Sequence, residues 1–250
     1  MSAFKECAVR SQRSMYDSRE ILVSQKENLF GRWVKFKSII FARRERITQE
    51  INQEYQALEY CKAEENSDRE EFKIMEYRTL SEPEITRELF GCFIRHQTVT
   101  KCLRRENGQW TVREDPFTDN WSENDYETLV QCLKNTAVSG GFVYGAFAGG
   151  ILKGFVSVES ELFGSRKQYL DLSSLHASEE MRRSGIGRTL FEAAKEWAKE
   201  KGAEKLYISA HSAIESQAFY EAMGCVDALE YHQKHVEQEP YDRQMECVLA

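Results

Sequence analysis

Tyr169-Leu170-Asp171-Leu172-Ser173-Ser174-Leu175-His176-Ala177, followed by Arg182-Arg183-Ser184-Gly185-Ile186-Gly187-Arg188, decides how this chain is read. The first segment has the apolar run of a buried strand, and the second turns through two glycines into an amphipathic helix. Such a junction is built to hold an anion. Glycine lets the backbone approach a phosphate, the first amides of a helix have no partners within it, and the helix dipole adds partial positive charge. Arg182, Arg183 and Arg188 add charged donors around the same turn. The spacing lacks the third glycine of a dinucleotide fingerprint and the Gly-Lys-Ser/Thr of a nucleoside-triphosphate loop.

A second block follows at the right distance. Lys205-Leu206-Tyr207-Ile208-Ser209-Ala210 reads as a strand. Ser212-Ala213-Ile214-Glu215 reads as a capping box that opens a helix carrying Phe219-Tyr220 and stopping at Gly224. Together the two blocks resemble the GNAT superfamily of acyl-CoA-dependent N-acetyltransferases. The family's cofactor signature, Arg or Gln, two residues, Gly, one residue, Gly or Ala, is matched by Arg182, Gly185 and Gly187. Its aromatic-Tyr pair four residues before a Gly is matched by Phe219, Tyr220 and Gly224. The likeness is strongest over about residues 169–225, and compatible elements extend it back to about residue 72 and on to the C-terminus.

The resemblance implies an α/β (α+β) fold with a mixed, mostly antiparallel central sheet and helices on both faces, and acetyl-CoA as co-substrate. It places the pyrophosphate on Arg182, Arg183, Ser184, Gly185, Ile186, Gly187 and Arg188. The pantetheine arm and thioester fall against the backbone of Leu175, His176 and Ala177, on a strand that splays from its neighbour. Ser212 and Ser216 stand where many relatives carry a cofactor-contacting Asn. Tyr220 matches the tyrosine that protonates the departing thiolate. Many members have a Glu where this chain has Ser173, so the base is sought elsewhere. Asp171, two residues earlier, shares that face, and Glu159 on the preceding strand is the alternative.

Composition bounds the rest. A hydrophobic content of 41%, with three prolines and fourteen glycines, fits a globular protein with much helix. The formal charge of −7 argues against a general nucleic-acid binder. No apolar run approaches the roughly 20 residues that span a bilayer, and Met1 to Cys7 has no signal-peptide core, so a cytoplasmic protein without a membrane partner is expected. The seven cysteines, without Cys-x-x-Cys spacing, fit reduced structural thiols. His232 and His235 lie three apart but lack further ligands placed to complete a site, so no metal is expected.

Residues 1–70 carry a net charge of +1 and residues 71–250 a net charge of −8. In the first part Leu29, Trp33, Phe36 and Ile40, then Ile47, Ile51 and Leu58, recur at helical intervals. A helical N-terminal extension is expected there, packed on the catalytic domain or on a second subunit of a homodimer. From residue 71 the expected order begins with a strand Phe72–Arg78 and a helix from Ser81 to about Phe93. A hairpin Cys102–Val112 turning at Asn107-Gly108 and a helix from Ser122 to about Val138 follow. Strands Gly141–Phe147 and Leu152–Glu161 come next, and closing strands Val226–Tyr231 and Gln244–Leu249 end the domain.

The stretch Glu114–Glu127 holds six acids and three aromatics. Asp119, Trp121 and Tyr126 there, with Glu237 and Glu239 between the last two strands, are the expected acceptor walls, and such walls suit a cationic amine. The expected reaction is direct attack of a small acceptor's primary amine, antibiotic or polyamine-like, on acetyl-CoA. A protein N-terminus or lysine as acceptor, or a noncatalytic acyl-CoA-binding module, are the alternatives.

Overall fold

The computed structural model of the chain describes residues 74–249; the expected N-terminal helical extension, residues 1–70, lies outside them. In chain order the strands are β1 (Met75–Thr79), β2 (His96–Glu106), β3 (Gln109–Asn120), β4 (Phe142–Ala148), β5 (Ile151–Val158), β6 (Tyr169–Asp171), β7 (Ser174–Ala177), β8 (Lys205–Ala210), β9 (Val226–Asp227) and β10 (Arg243–Val248). The helices are α1 (Glu123–Val138), α2 (Ile186–Glu200), α3 (Ile214–Ala222) and α4 (Gln233–Gln238). One four-stranded sheet has the order β1-β4-β5-β7 and a second the order β6-β8-β10-β9, while β2 and β3 form a ribbon of their own. Every pairing but β6 with β8 is antiparallel.

Strand alternation explains why both faces of the first sheet are covered. Phe142, Ala146, Val156 and Val158 face α2, whose Ile186, Leu190, Phe191, Ala194 and Ala198 are buried in the same core. Val143, Phe147, Leu152 and Phe155 pack with Tyr126 and Leu133 of α1 on the other face. Burying each large apolar side chain contributes about 1.5–3 kcal/mol. Gly154 of β5 permits the close approach of α2, since a Cβ there would stand 2.5 Å from Ile186 Cγ2. No helix among the described residues is long and apolar enough to cross a membrane.

Several expectations are corrected. The helix expected from Ser81 to Phe93 is two short 3-10 turns, Glu82–Glu84 and Glu88–Phe90. The capping box at Ser81 and Glu84 does form. The buried Leu80, Ile85 and Phe90 recur every five residues, however, which no single α-helical face can present. The hairpin at Asn107-Gly108 turns with φ of 49° and 82°, as a two-residue primed turn requires, but its strands reach back to His96 and on to Asn120. The first half of the acidic stretch, Glu114–Asn120, is therefore strand. The strand expected at Val226–Tyr231 shortens to Val226–Asp227, and α4 fills the connection to β10. Cys102, Cys132, Cys225 and Cys247 are free thiols, whereas Cys92 is disulfide-bonded, contrary to the expectation of reduced thiols throughout.

Candidate active site

The chain forks at Leu172-Ser173. Up to that point β6 pairs with β8, and the Leu172 amide still donates to the Tyr207 carbonyl at 2.9 Å. The next amide, of Ser173, donates instead to the Ser157 carbonyl at 3.0 Å, and β7 continues along β5 in the other sheet. Strand β8 runs on to Ala210 without β7 beside it, so a gap opens between the two sheets. The Ser178 amide donates to the Lys153 carbonyl at 2.9 Å, in register with the pairing of Ala177 with Gly154. Antiparallel alternation then turns the backbone groups of Ala177 and Leu175 away from β5, toward the gap.

A cradle closes the same end of the gap. A 3-10 turn at Glu179–Met181 leads through Arg183, at φ 64°, and Gly185, at φ 93°, into α2. The Thr189 amide donates to the Gly185 carbonyl, leaving the amides of Ile186, Gly187 and Arg188 without partners inside the helix. A Cβ on Gly185 would meet nothing within 4 Å, and one on Gly187 would come within 3.3 Å of Phe219. Arg183, Ser184 and Arg188 are exposed around this open space. Arg182 is not free there: its guanidinium donates to the His96 carbonyl at 2.5 Å and ties the turn to β2.

Helix α3 follows the end of β8 and carries Tyr220. The expected cap at Ser212 is replaced by Ala213 as N-cap, while Gln217 donates to the carbonyls of Ala210 and His211 at 3.0 and 2.8 Å and fixes the helix start to the end of β8. Ser212 is buried and its carbonyl accepts from the Leu103 amide of the ribbon at 2.7 Å; Ser216 is half-buried. Tyr220 packs edge-on against Phe191 and Phe219, and its hydroxyl makes no hydrogen bond among the described residues. Burial pushes this phenol well above its usual range, with Cys225 and Asp242 adding to the rise.

The second sheet has a polar face. Tyr169 donates to Glu246 at 2.5 Å, Lys205 pairs with Glu246 at 2.6 Å, and Tyr207 donates to Gln244 at 2.5 Å. The buried Asp171 accepts from His235 Nε2 at 2.7 Å through one carboxylate oxygen, and its buried Oδ1 has no partner. His235 Nδ1 reaches Glu239 at 3.4 Å, and the two carboxylates push the imidazole up to about 10. The sequence reading missed His235 because its spacing from His232 was weighed only as a metal motif.

His235→Gln is expected to cost about 1–3 kcal/mol, the usual worth of hydrogen bonds to charged groups. The folded value lies above the unfolded 6.5, so the stabilisation is complete below about pH 6.5 and lost as pH rises through about 10. Thermal melts of both proteins between those limits should show the gap closing; a gap independent of pH would rule the ion triad out as its source.

The other expected site residues fall into three groups. Glu159 accepts from Ser173 at 2.8 Å and from Thr136 at 2.7 Å, so a carboxylate from β5's end stands beside the serine at the fork. Trp121 lies edge-on to His176 at 4.9 Å; His176 packs also on Phe155, and burial holds its imidazole down to about 3. Tyr126 is buried, its hydroxyl donating to the Phe93 carbonyl at 2.7 Å and accepting from the Arg95 amide at 3.2 Å. Asp119 is paired with the buried Arg95, and the neighbouring acids are likewise engaged, Asp115 by Arg104, Glu123 by Arg87 and Asp125 by the cap at Ser122. Asp119 and Glu239 both lie within electrostatic reach of His211 at the end of β8. Glu237 is exposed on α4 and takes a hydrogen bond from Gln233. Among the described residues no group of three or more His, Cys, Asp or Glu side chains is arranged to hold a metal.

Residues 107–225 match the acetyltransferase (GNAT) family. The fold is that of nourseothricin acetyltransferase, at 21% identity over 70% of this chain and 99% of that one, with a TM-score of 0.51. It is also that of a Bacillus anthracis str. Ames protein named as a streptothricin acetyltransferase and solved with acetyl coenzyme A, at 16% identity, 69% and 96% coverage, and a TM-score of 0.50. No curated protein matches the chain in sequence. The forked strand and the glycine turn both lie within the residues, 107–225, that match the acetyltransferase (GNAT) family.

Proposed function

We propose that this enzyme transfers the acetyl group of acetyl-CoA to a primary amine of a small, cationic acceptor by direct attack. The observation that carries the reading is the fork at Leu172-Ser173, which opens onto a helix start with unpartnered amides. The pyrophosphate takes the amides of Ile186, Gly187 and Arg188 and the side chains of Arg183, Ser184 and Arg188. The pantetheine arm pairs with the free edge of Leu175 and Ala177, and Ser212 and Ser216 line its opposite side. Tyr220 gives its proton to the departing thiolate. The proton of the amine passes to a carboxylate of the site; on the strands at the fork the carboxylates are Asp171, whose Oδ1 is free, and Glu159, beside Ser173.

For the acceptor, three of the six acids in the stretch are held in ion pairs and a fourth in a helix cap, and the anionic wall is drawn at Glu239 and the polar face beside it, with Trp121 and Asp119 completing the acceptor site. A compact amine suits such a wall better than an extended polycation. Release of free CoA thiol from acetyl-CoA, across a panel of small amines including nourseothricin and streptothricin, tests the reading. Release only with peptide N-termini or lysines would move the acceptor to protein, and release with none would leave a binding module.

A further inference from the structure

On the acetyl-transfer reading just given, we propose that Asp242 is the base that takes the proton from the acceptor ammonium. The sequence put no role on this residue; its place in the sheet does. Arg243 of β10 pairs in register with Ala210 of β8, so the next step of the ladder sets Asp242 opposite His211. Asp242 is the bend residue immediately before β10, two residues ahead of Gln244. Gln244 itself is held by Tyr207 and by Ser209, its donor distance to the latter being 3.1 Å. Arg243 faces the other way, bonded to Asp227 at 2.6 Å and to Glu221 of α3 at 2.7 Å.

The backbone at Asp242 is pinned from both sides. Its amide donates to the Glu239 carbonyl at 3.0 Å and its carbonyl accepts from Gln244 at 3.1 Å. The Ser212 amide, at the junction of β8 and α3, lies near enough to hold the carboxyl down. It thus sits at the end of β8 that borders the gap, between the helix of the proposed acid, Tyr220, and the acceptor wall at Glu239. The groups that face it are Glu239 and His235 from the segment before β10, Arg104 from β2, and Tyr220 from α3.

A base at this place needs to be unprotonated near neutrality and still basic enough to accept. Burial and the charge of Glu239 push the Asp242 carboxyl up to about 7, against the pull of the Ser212 amide, His235 and Arg104. Asp171 already receives His235, and Glu159 already receives two hydroxyls.

The proton balance is simple. The ammonium gives one proton to the Asp242 carboxylate; the neutral amine adds to the thioester carbon; the carbon–sulfur bond breaks and the thiolate leaves. Tyr220 protonates the thiolate and regains a proton from the new amide nitrogen, and Asp242 releases its proton to solvent. One acetyl-CoA and one ammonium become one amide, one CoA thiol and one proton.

The test is the pH dependence of kcat at saturating amine. The wild type should lose rate as pH falls through about 7, where the carboxylate protonates. Asp242→Asn keeps the shape of the side chain; it should lose that limb and about a hundredfold to a thousandfold of the rate above it, with acetyl-CoA affinity by calorimetry unchanged. Asp242→Glu should keep the limb. If the wild type turns over and Asp242→Asn keeps both limb and rate, this assignment fails alone. Failure of the wild type to release thiol with any amine overturns the acetyl-transfer reading and this assignment together.

Discussion

Gly185→Val should abolish acetyl-CoA binding while leaving the domain folded. Gly185 is the N-cap of α2 at φ 93°, and the space above it is open. A side chain there would occupy the volume that a phosphate needs in order to reach the amides of Ile186, Gly187 and Arg188. The left-handed backbone adds about 1–2 kcal/mol of strain for any residue with a Cβ. Gly202 supplies the control, because it also has positive φ, 84°, and open space around it, but lies at the far end of α2. Gly202→Val should lose comparable stability and retain affinity. Calorimetric titration with acetyl-CoA decides the matter, and wild-type affinity in Gly185→Val would show that the pyrophosphate binds elsewhere.

Tyr220→Phe should lower turnover by about tenfold to a thousandfold, near the range seen when a general acid is lost, with little change in acetyl-CoA affinity. The ring's packing on Phe191 and Phe219 survives the substitution, and no protein hydrogen bond is removed among the described residues. Burial raises the phenol, so it stays protonated at neutral and mildly alkaline pH, and its placement against the departing thiolate must drive the transfer. The loss should therefore be similar at neutral and mildly alkaline pH, in contrast to the limb expected for Asp242. Steady-state rates with a good amine check this; full turnover in Tyr220→Phe would reduce the ring to packing.

What the chain determines by itself is local. The turn at Arg182–Arg188 declares its glycines and arginines in one short window, and the strand at Lys205–Ala210 is found where it was read. The hairpin turn at Asn107-Gly108 and the helix capped by Ser122 follow from the conformations that those residues favour. Such features depend on neighbours a few residues away, and a sequence displays them directly.

Only the tertiary structure decided the rest. No local signal splits Tyr169–Ala177 into two strands, because the fork exists only where β5 and β8 compete for the same backbone. The acids of Glu114–Glu127 could not be told apart along the chain, yet the fold brings arginines to three of them, Asp115, Asp119 and Glu123. His235 acquires its charge behaviour from a group far away in sequence, Asp171. Burial and pairing set the state of a titratable group, and both belong to the fold rather than to the residue.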